Sequence, residues 1–277
     1  MEGDGLYPPE EIDLKSLETA KKRFLNDGEF IPTPYSKSKK ESLAEAIEAP
    51  ITLCVGKPGT GKTFTVNSLI NDGLVKGRIN AALMDKEGGA IEAIASVLSG
   101  GREVKDVMKY LKRADSKAVC IDEAAFLSKT DYEKIRTLGD ESGVRLILVY
   151  HNAGEIGDFR MASRILTRID FEGLDFNNFK YYLGHRSDQP HTIALISDEF
   201  LREIFDEISD ESGHTGFREI NKIGYALFDV MESILRFEGE VEFKRSLLNG
   251  KAARMALLKY AKQMRIPIPE EETKEIK

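Results

Sequence analysis

The feature that most narrows what this chain can fold into is the octapeptide Gly56-Lys57-Pro58-Gly59-Thr60-Gly61-Lys62-Thr63, which satisfies G-x-x-x-x-G-K-[ST] at every position. It follows the apolar run Ile51 to Val55 and opens a helical pattern over Lys62 to Asn71, the setting in which the motif works. The glycines let backbone N–H groups turn inward around phosphate oxygens, and the helix N-terminus adds the positive end of its dipole. Lys62 is then expected to reach the β- and γ-phosphates and the Thr63 hydroxyl to bind Mg2+, so ATP and Mg2+ are the expected ligands.

A complement lies downstream in Ala118-Val119-Cys120-Ile121-Asp122-Glu123, a buried-strand pattern ending in two carboxylates. Asp122 is expected to hold the Mg2+ through water, and Glu123 to polarise the water that attacks the γ-phosphate. Hydrolysis follows from that pair, where the loop alone would imply only binding.

Around these motifs strand and helix patterns alternate, which implies a parallel sheet. Strands read at Ile51 to Gly56, Ile79 to Asp85, Ala118 to Asp122, Val144 to Tyr150 and Arg168 to Phe171. Helices read at Lys62 to Asn71, Gly89 to Ser99, Glu103 to Arg113, Thr130 to Ser142 and Gly157 to Ile165. From Asp175 the patterns are helical only, at Asp175 to Leu183, Ser197 to Ser209, Gly216 to Phe237 and Lys251 to Met264. The expected division is an N-terminal arm (1–29), an α/β core (30–173), a small helical lid (174–265) and an acidic tail (266–277).

Composition excludes other classes. A net charge of -7 argues against blanket affinity for nucleic acid while leaving room for a local basic stripe. The longest apolar runs are strand-sized, far short of the roughly 20 residues of a membrane span. The start Met1-Glu-Gly-Asp has no basic or apolar leader, and the two cysteines, Cys54 and Cys120, sit in apolar strand patterns. A reducing cytoplasm, no disulfide and no membrane partner are expected.

With these residues in view the chain resembles the AAA+ ATPases, over about Phe30 to Ala261. Within them it is most similar to the branch containing the transposition target-selection ATPases MuB, TnsC and TniB and the secretion ATPase ExeA, in its short TnsC-like form. The branch rests on Ile121-Asp122-Glu123-Ala124, on Leu146 to His151, on Ser163-Arg164-Ile165 ahead of Phe171-Glu172-Gly173-Leu174, and on Gly213 to Ile220. The resemblance implies an α/β AAA+ P-loop fold with a five-stranded parallel sheet in the order 5-1-4-3-2 and a C-terminal helical lid. It makes His151, with Asn152 as second choice, the polar sensor at the tip of the fourth strand, although most members carry glycine where this chain has Tyr150. Arg164 matches the finger that completes a neighbouring subunit's site, with Arg168 as competitor. Arg218 matches the lid sensor, and Ile31-Pro32 lie where relatives pack the adenine. That strand order puts the fourth strand between the two cysteines, so both should be free thiols.

One more pattern bears on the substrate. Arg102, Lys105, Lys109, Lys112 and Arg113 fall within an arc of about 100° if the segment is one helix. Such a stripe suits a duplex backbone, and Arg102, Lys105 and Lys109 are the candidate DNA contacts; a solvated helix face is the alternative. The reading that joins these features is a homo-oligomeric ATPase, in a ring or filament, that binds duplex DNA with ATP and regulates or recruits a transposase. A replication-type loader or remodeller and a secretion-associated ATPase are the alternatives.

Overall fold

The computed structural model describes residues 12–25, 31–84, 89–113, 117–155 and 167–264, and its contacts divide the chain into two compact units, 34–173 and 1–33 with 174–277. Helix α1 (Leu14–Arg23) belongs to the second. The first contains α2 (Pro34–Ala46), β1 (Ile51–Val55), α3 (Lys62–Asn71), β2 (Val75–Asn80), α4 (Gly89–Ser99), α5 (Val107–Leu111), β3 (Ala118–Asp122), α6 (Lys129–Glu141), β4 (Arg145–Tyr150) and β5 (Thr167–Asp170).

The strands form one sheet in the order β2-β3-β4-β1-β5, with every pair parallel. This is the expected 5-1-4-3-2 order, read from the other edge. Both faces are covered, which is why β1 and β3 are apolar without alternation. Their side chains still alternate in direction. Ile51, Leu53 and Val55 point into a core shared with α4, α5 and α6, whereas Cys54 joins Leu43, Val66, Leu69 and Cys120 on the face covered by α2 and α3. The two cysteines are free and fully buried, with β4 between their strands. Burial pushes the Cys54 thiol up to about 12 and raises Cys120 as well.

Two elements expected from sequence change in this unit. The second strand is Val75–Asn80 and not Ile79 to Asp85, because Asn80 turns its side chain onto the Ala82 N–H and starts a 3-10 turn, Ala81–Leu83. The helix expected over 103–113 is only α5, where Asp106 accepts from the Lys109 N–H and caps it. Ahead of it Gly100 and Gly101 take positive φ, and Arg102 folds back onto Ser99, its Nε donating to the Ser99 carbonyl at 2.9 Å. Arg102 and Lys105 therefore do not share a helix with Lys109, and the five cations do not form one helical stripe. The helix expected at Gly157 to Ile165 lies outside the described residues.

The second unit is helical: α7 (Phe176–Ser187), α8 (Pro190–Ala194), α9 (Asp198–Ile208), α10 (Phe217–Leu248) and α11 (Lys251–Met264), with α1. Asp175 starts α7 by accepting from the Asn178 N–H. Helix α10 runs past the expected end at Phe237, with a break at Gly239, where φ is 84°. Part of the segment expected to be an N-terminal arm is packed here. Leu17 and Ala20 of α1 are buried, Phe24 stacks on Phe228 with centroids 5.7 Å apart, and Lys21 pairs with Asp229 at 3.1 Å and with Glu232. Gly224 on α10 makes room, since a Cβ there would come within 2.4 Å of the Phe24 ring. Among the described residues no helix is long and apolar enough to cross a membrane.

Candidate active site

The loop after β1 is built for close backbone approach. Gly56 donates its N–H to the Tyr150 carbonyl at 3.2 Å, and a Cβ on it would lie 2.2 Å from the Phe171 carbonyl oxygen, so only glycine fits. Gly59 and Gly61 adopt φ of 84° and 95°, the left-handed region open to glycine without penalty. Thr60 closes the loop with its hydroxyl on the Lys57 carbonyl at 2.9 Å, while Lys57 and Pro58 stay exposed on the outside. Helix α3 then begins at Lys62, presenting the N–H groups of its first turn toward the loop. Lys62 is buried, its ammonium donating to the Lys57 carbonyl at 2.8 Å and to Gly56.

Beside it, Thr63 and the end of β3 meet. The Thr63 hydroxyl donates to Asp122 Oδ2 at 3.1 Å, and the Glu123 N–H donates to Asp122 Oδ1 at 3.0 Å. A hydroxyl and a buried carboxylate this close form the hard-oxygen donor pair Mg2+ takes alongside phosphate, and the glycine-walled loop suits a polyphosphate. Glu123 itself sits at φ 56°, ψ 40°, a conformation that costs a side chain about 1–2 kcal/mol. Its carboxylate Oε2 lies 2.6 Å from His151 Nε2 at the tip of β4. One network thus runs from Thr63 through Asp122 and Glu123 to His151.

The structure adds a residue that sequence reasoning missed. Arg78 of β2 donates from Nη1 to Asp122 Oδ2 at 2.7 Å. Its register opposite Cys120, two positions before Asp122, could have revealed it had β2 been placed correctly. Tyr132, also missed, donates to the Ala124 carbonyl in the turn after Glu123, and its hydroxyl meets that of Tyr150.

Asn152 is exposed beyond His151. Arg164 lies outside the described residues. Arg168 is on β5 and engages Asp170, its Nε donating to Oδ1 at 2.9 Å. Ile31 is half-buried, Pro32 exposed and Arg218 exposed in the first turn of α10; all three belong to the helical unit. Arg102, Lys105 and Lys109 are exposed, and nearby Lys112 pairs with Glu141 at 2.7 Å.

A parallel sheet in this order, with a phosphate loop after β1 and an Asp-Glu pair closing β3, is the AAA+ type of P-loop NTPase fold. Comparison with known proteins agrees. The family model described as an AAA domain matches residues 46–154. Among solved structures, the ORC2 protein of Aeropyrum pernix superposes with a TM-score of 0.57 at 14% identity, over 91% of this chain and 74% of that one. Cdc6p of Pyrobaculum aerophilum gives 0.57 at 15% identity, over 91% and 73%. A RuvB mutant of Thermotoga maritima gives 0.51 at 17% identity, over 86% and 72%. Identities this low describe a shared fold. No curated protein matches the chain in sequence.

Proposed function

We propose that this chain hydrolyses ATP as a homo-oligomer assembled on duplex DNA, and that in this form it regulates or recruits a transposase during target selection. The observation that carries the enzymatic part is the Thr63, Asp122, Glu123 and His151 network at the mouth of the phosphate loop. Lys62 and the loop amides hold the triphosphate, and Thr63 with Asp122 would hold Mg2+, which supplies charge neutralisation of the phosphates when bound. Glu123 orients and deprotonates the attacking water, while His151 fixes the carboxylate that does so. As the AAA+ resemblance implies, Arg164 is assigned to the site of the adjacent subunit, Arg218 to the γ-phosphate and Ile31-Pro32 to the adenine.

Support for the DNA part is the exposure of Arg102, Lys105 and Lys109 on one surface segment of the α/β unit. Support for the transposition part is the sequence pattern around Ile121 to Ala124 and Gly213 to Ile220. A replication-type loader or remodeller is the second reading, favoured by the fold likeness to ORC2 and Cdc6p.

Two measurements test the proposal. Lys62→Ala should lose ATP binding, whereas Glu123→Gln should bind ATP and fail to turn it over; equal loss of affinity in both would refute the role of Glu123. Replacing Arg102, Lys105 and Lys109 with alanine should weaken ATP-dependent DNA binding and flatten its log-log salt slope by about 1 per lost phosphate contact. An unchanged slope would return these cations to ordinary surface and remove the DNA reading's structural support.

A further inference from the structure

Tyr150 ends β4 next to His151, and it is almost wholly buried. Its main chain and its side chain point to different parts of the site. The carbonyl accepts from the Gly56 N–H at 3.2 Å, at the start of the phosphate loop. The hydroxyl lies 2.8 Å from the Tyr132 hydroxyl on α6, and Tyr132 in turn donates to the Ala124 carbonyl at 2.7 Å. Ala124 is the residue directly after Glu123, and Glu123 is one of only two non-glycine residues at positive φ among those described.

A side chain in the left-handed region stays there only where its surroundings fix it. Two restraints are visible on the N-terminal side and at the carboxylate: the Glu123 N–H on Asp122 and the His151 contact. On the C-terminal side the turn closes with the Phe126 N–H on the Glu123 carbonyl at 3.0 Å and the Leu127 N–H on the Ala124 carbonyl at 3.1 Å, and the relay from Tyr150 through Tyr132 adds the side-chain tether to Ala124. We propose that Tyr132 and Tyr150 are positioning residues for Glu123, holding its backbone in the left-handed conformation that presents the carboxylate to the reacting water. Tyr150 links that restraint to the phosphate loop, because its backbone and hydroxyl anchor both at once. The proposal rests on the reading of Glu123 as the hydrolytic base.

The test replaces hydroxyls and keeps rings. In Tyr132→Phe/Tyr150→Phe the two hydroxyls go together with the ring shapes kept, and the Ala124 carbonyl still accepts from the Leu127 N–H at 3.1 Å, so the cost in stability is small. Losing the hold on Ala124 should lower kcat about three- to tenfold, the range a lost net hydrogen bond implies, while KM and ATP affinity stay within twofold. In the Glu123→Gln background the same two replacements should change the residual turnover by less than twofold, because residues acting through one group are not additive with its loss. An unchanged kcat in the wild-type background, or full additivity with Glu123→Gln, would overturn the proposal. Should the double variant melt early, Tyr132→Phe alone carries the same comparison, since it removes the donor to Ala124. If Glu123→Gln hydrolyses ATP like the wild type, the base assignment has failed instead, so the two failures are distinct.

Discussion

The conformation of Glu123 makes a prediction whose sign is opposite to the usual one. At an ordinary position, replacing alanine by glycine destabilises a protein by roughly 0.5–1 kcal/mol, because glycine has more freedom to lose on folding. At φ 56° and ψ 40° the Cβ of alanine instead carries the left-handed penalty of about 1–2 kcal/mol, and glycine carries none. At the centre of both ranges the difference leaves Glu123→Gly more stable than Glu123→Ala by about 0.75 kcal/mol, within a span of about 0–1.5 kcal/mol. Both variants delete the carboxylate and its contact with His151, so comparing them with each other isolates the backbone. For a domain of this size that difference moves a thermal midpoint by roughly 1–4 °C. Differential scanning fluorimetry of the two purified variants under one buffer reads it directly. If the alanine variant melts at or above the glycine variant, Glu123 is not held in the left-handed region, and the positioning role of Tyr132 and Tyr150 loses its basis as well.

Arg78→Gln removes a cation 2.7 Å from Asp122 Oδ2, so the Mg2+ concentration that half-saturates nucleotide binding should fall about three- to tenfold; calorimetric titrations with ATP at graded Mg2+ check it, and a rise would contradict the geometry. Cys54 has its thiol raised from 9.0 to about 12 by burial, so the unfolded chain ionises there first. Its contribution to stability is complete below pH 9 and declines as pH rises toward 12, a loss that Cys54→Ala should blunt in denaturant melts taken across that window. Arg164→Ala should abolish hydrolysis yet leave ATP affinity intact, and mixing it with Lys62→Ala should restore activity at mixed interfaces. No recovery in a mixture that demonstrably co-assembles would exclude a finger acting between subunits.

What could be read from the sequence tracks how local each signal is. β1 and β3 are continuous apolar runs because two layers cover them, and the motifs at their ends are contiguous, so both strands and the meeting of Thr63 with Asp122 were legible, while the sheet order came only through the AAA+ resemblance. The edge strand β2 was not. Its residues Val75 to Asn80 include two cations and Gly77, whose missing Cβ leaves room for Val97, and the more apolar stretch that follows is a turn. That slip hid Arg78, whose partner lies 44 positions away. The five basic residues before β3 satisfied a helical period, but a periodic pattern does not register two successive glycines at positive φ. The roles of Tyr132 and Tyr150 depend on hydroxyls meeting across α6 and β4, which no spacing along the chain encodes.

The placement of α1 has a consequence for how the chain is made. Lys21 and its partner Asp229 are 208 positions apart, and the Phe24 ring fills space that Gly224 leaves for it. At about 5–20 residues per second on the ribosome, roughly 10–40 s pass between synthesis of α1 and the arrival of the helix that buries it. Over that interval Leu17, Ala20 and Phe24 wait for the face of α10 that buries them, and once β5 is made at Thr167–Asp170 the α/β unit has all its strands and can close. Newly made chains should therefore pass through a state with one finished unit and one waiting helix, and that helix is where a chaperone would bind first.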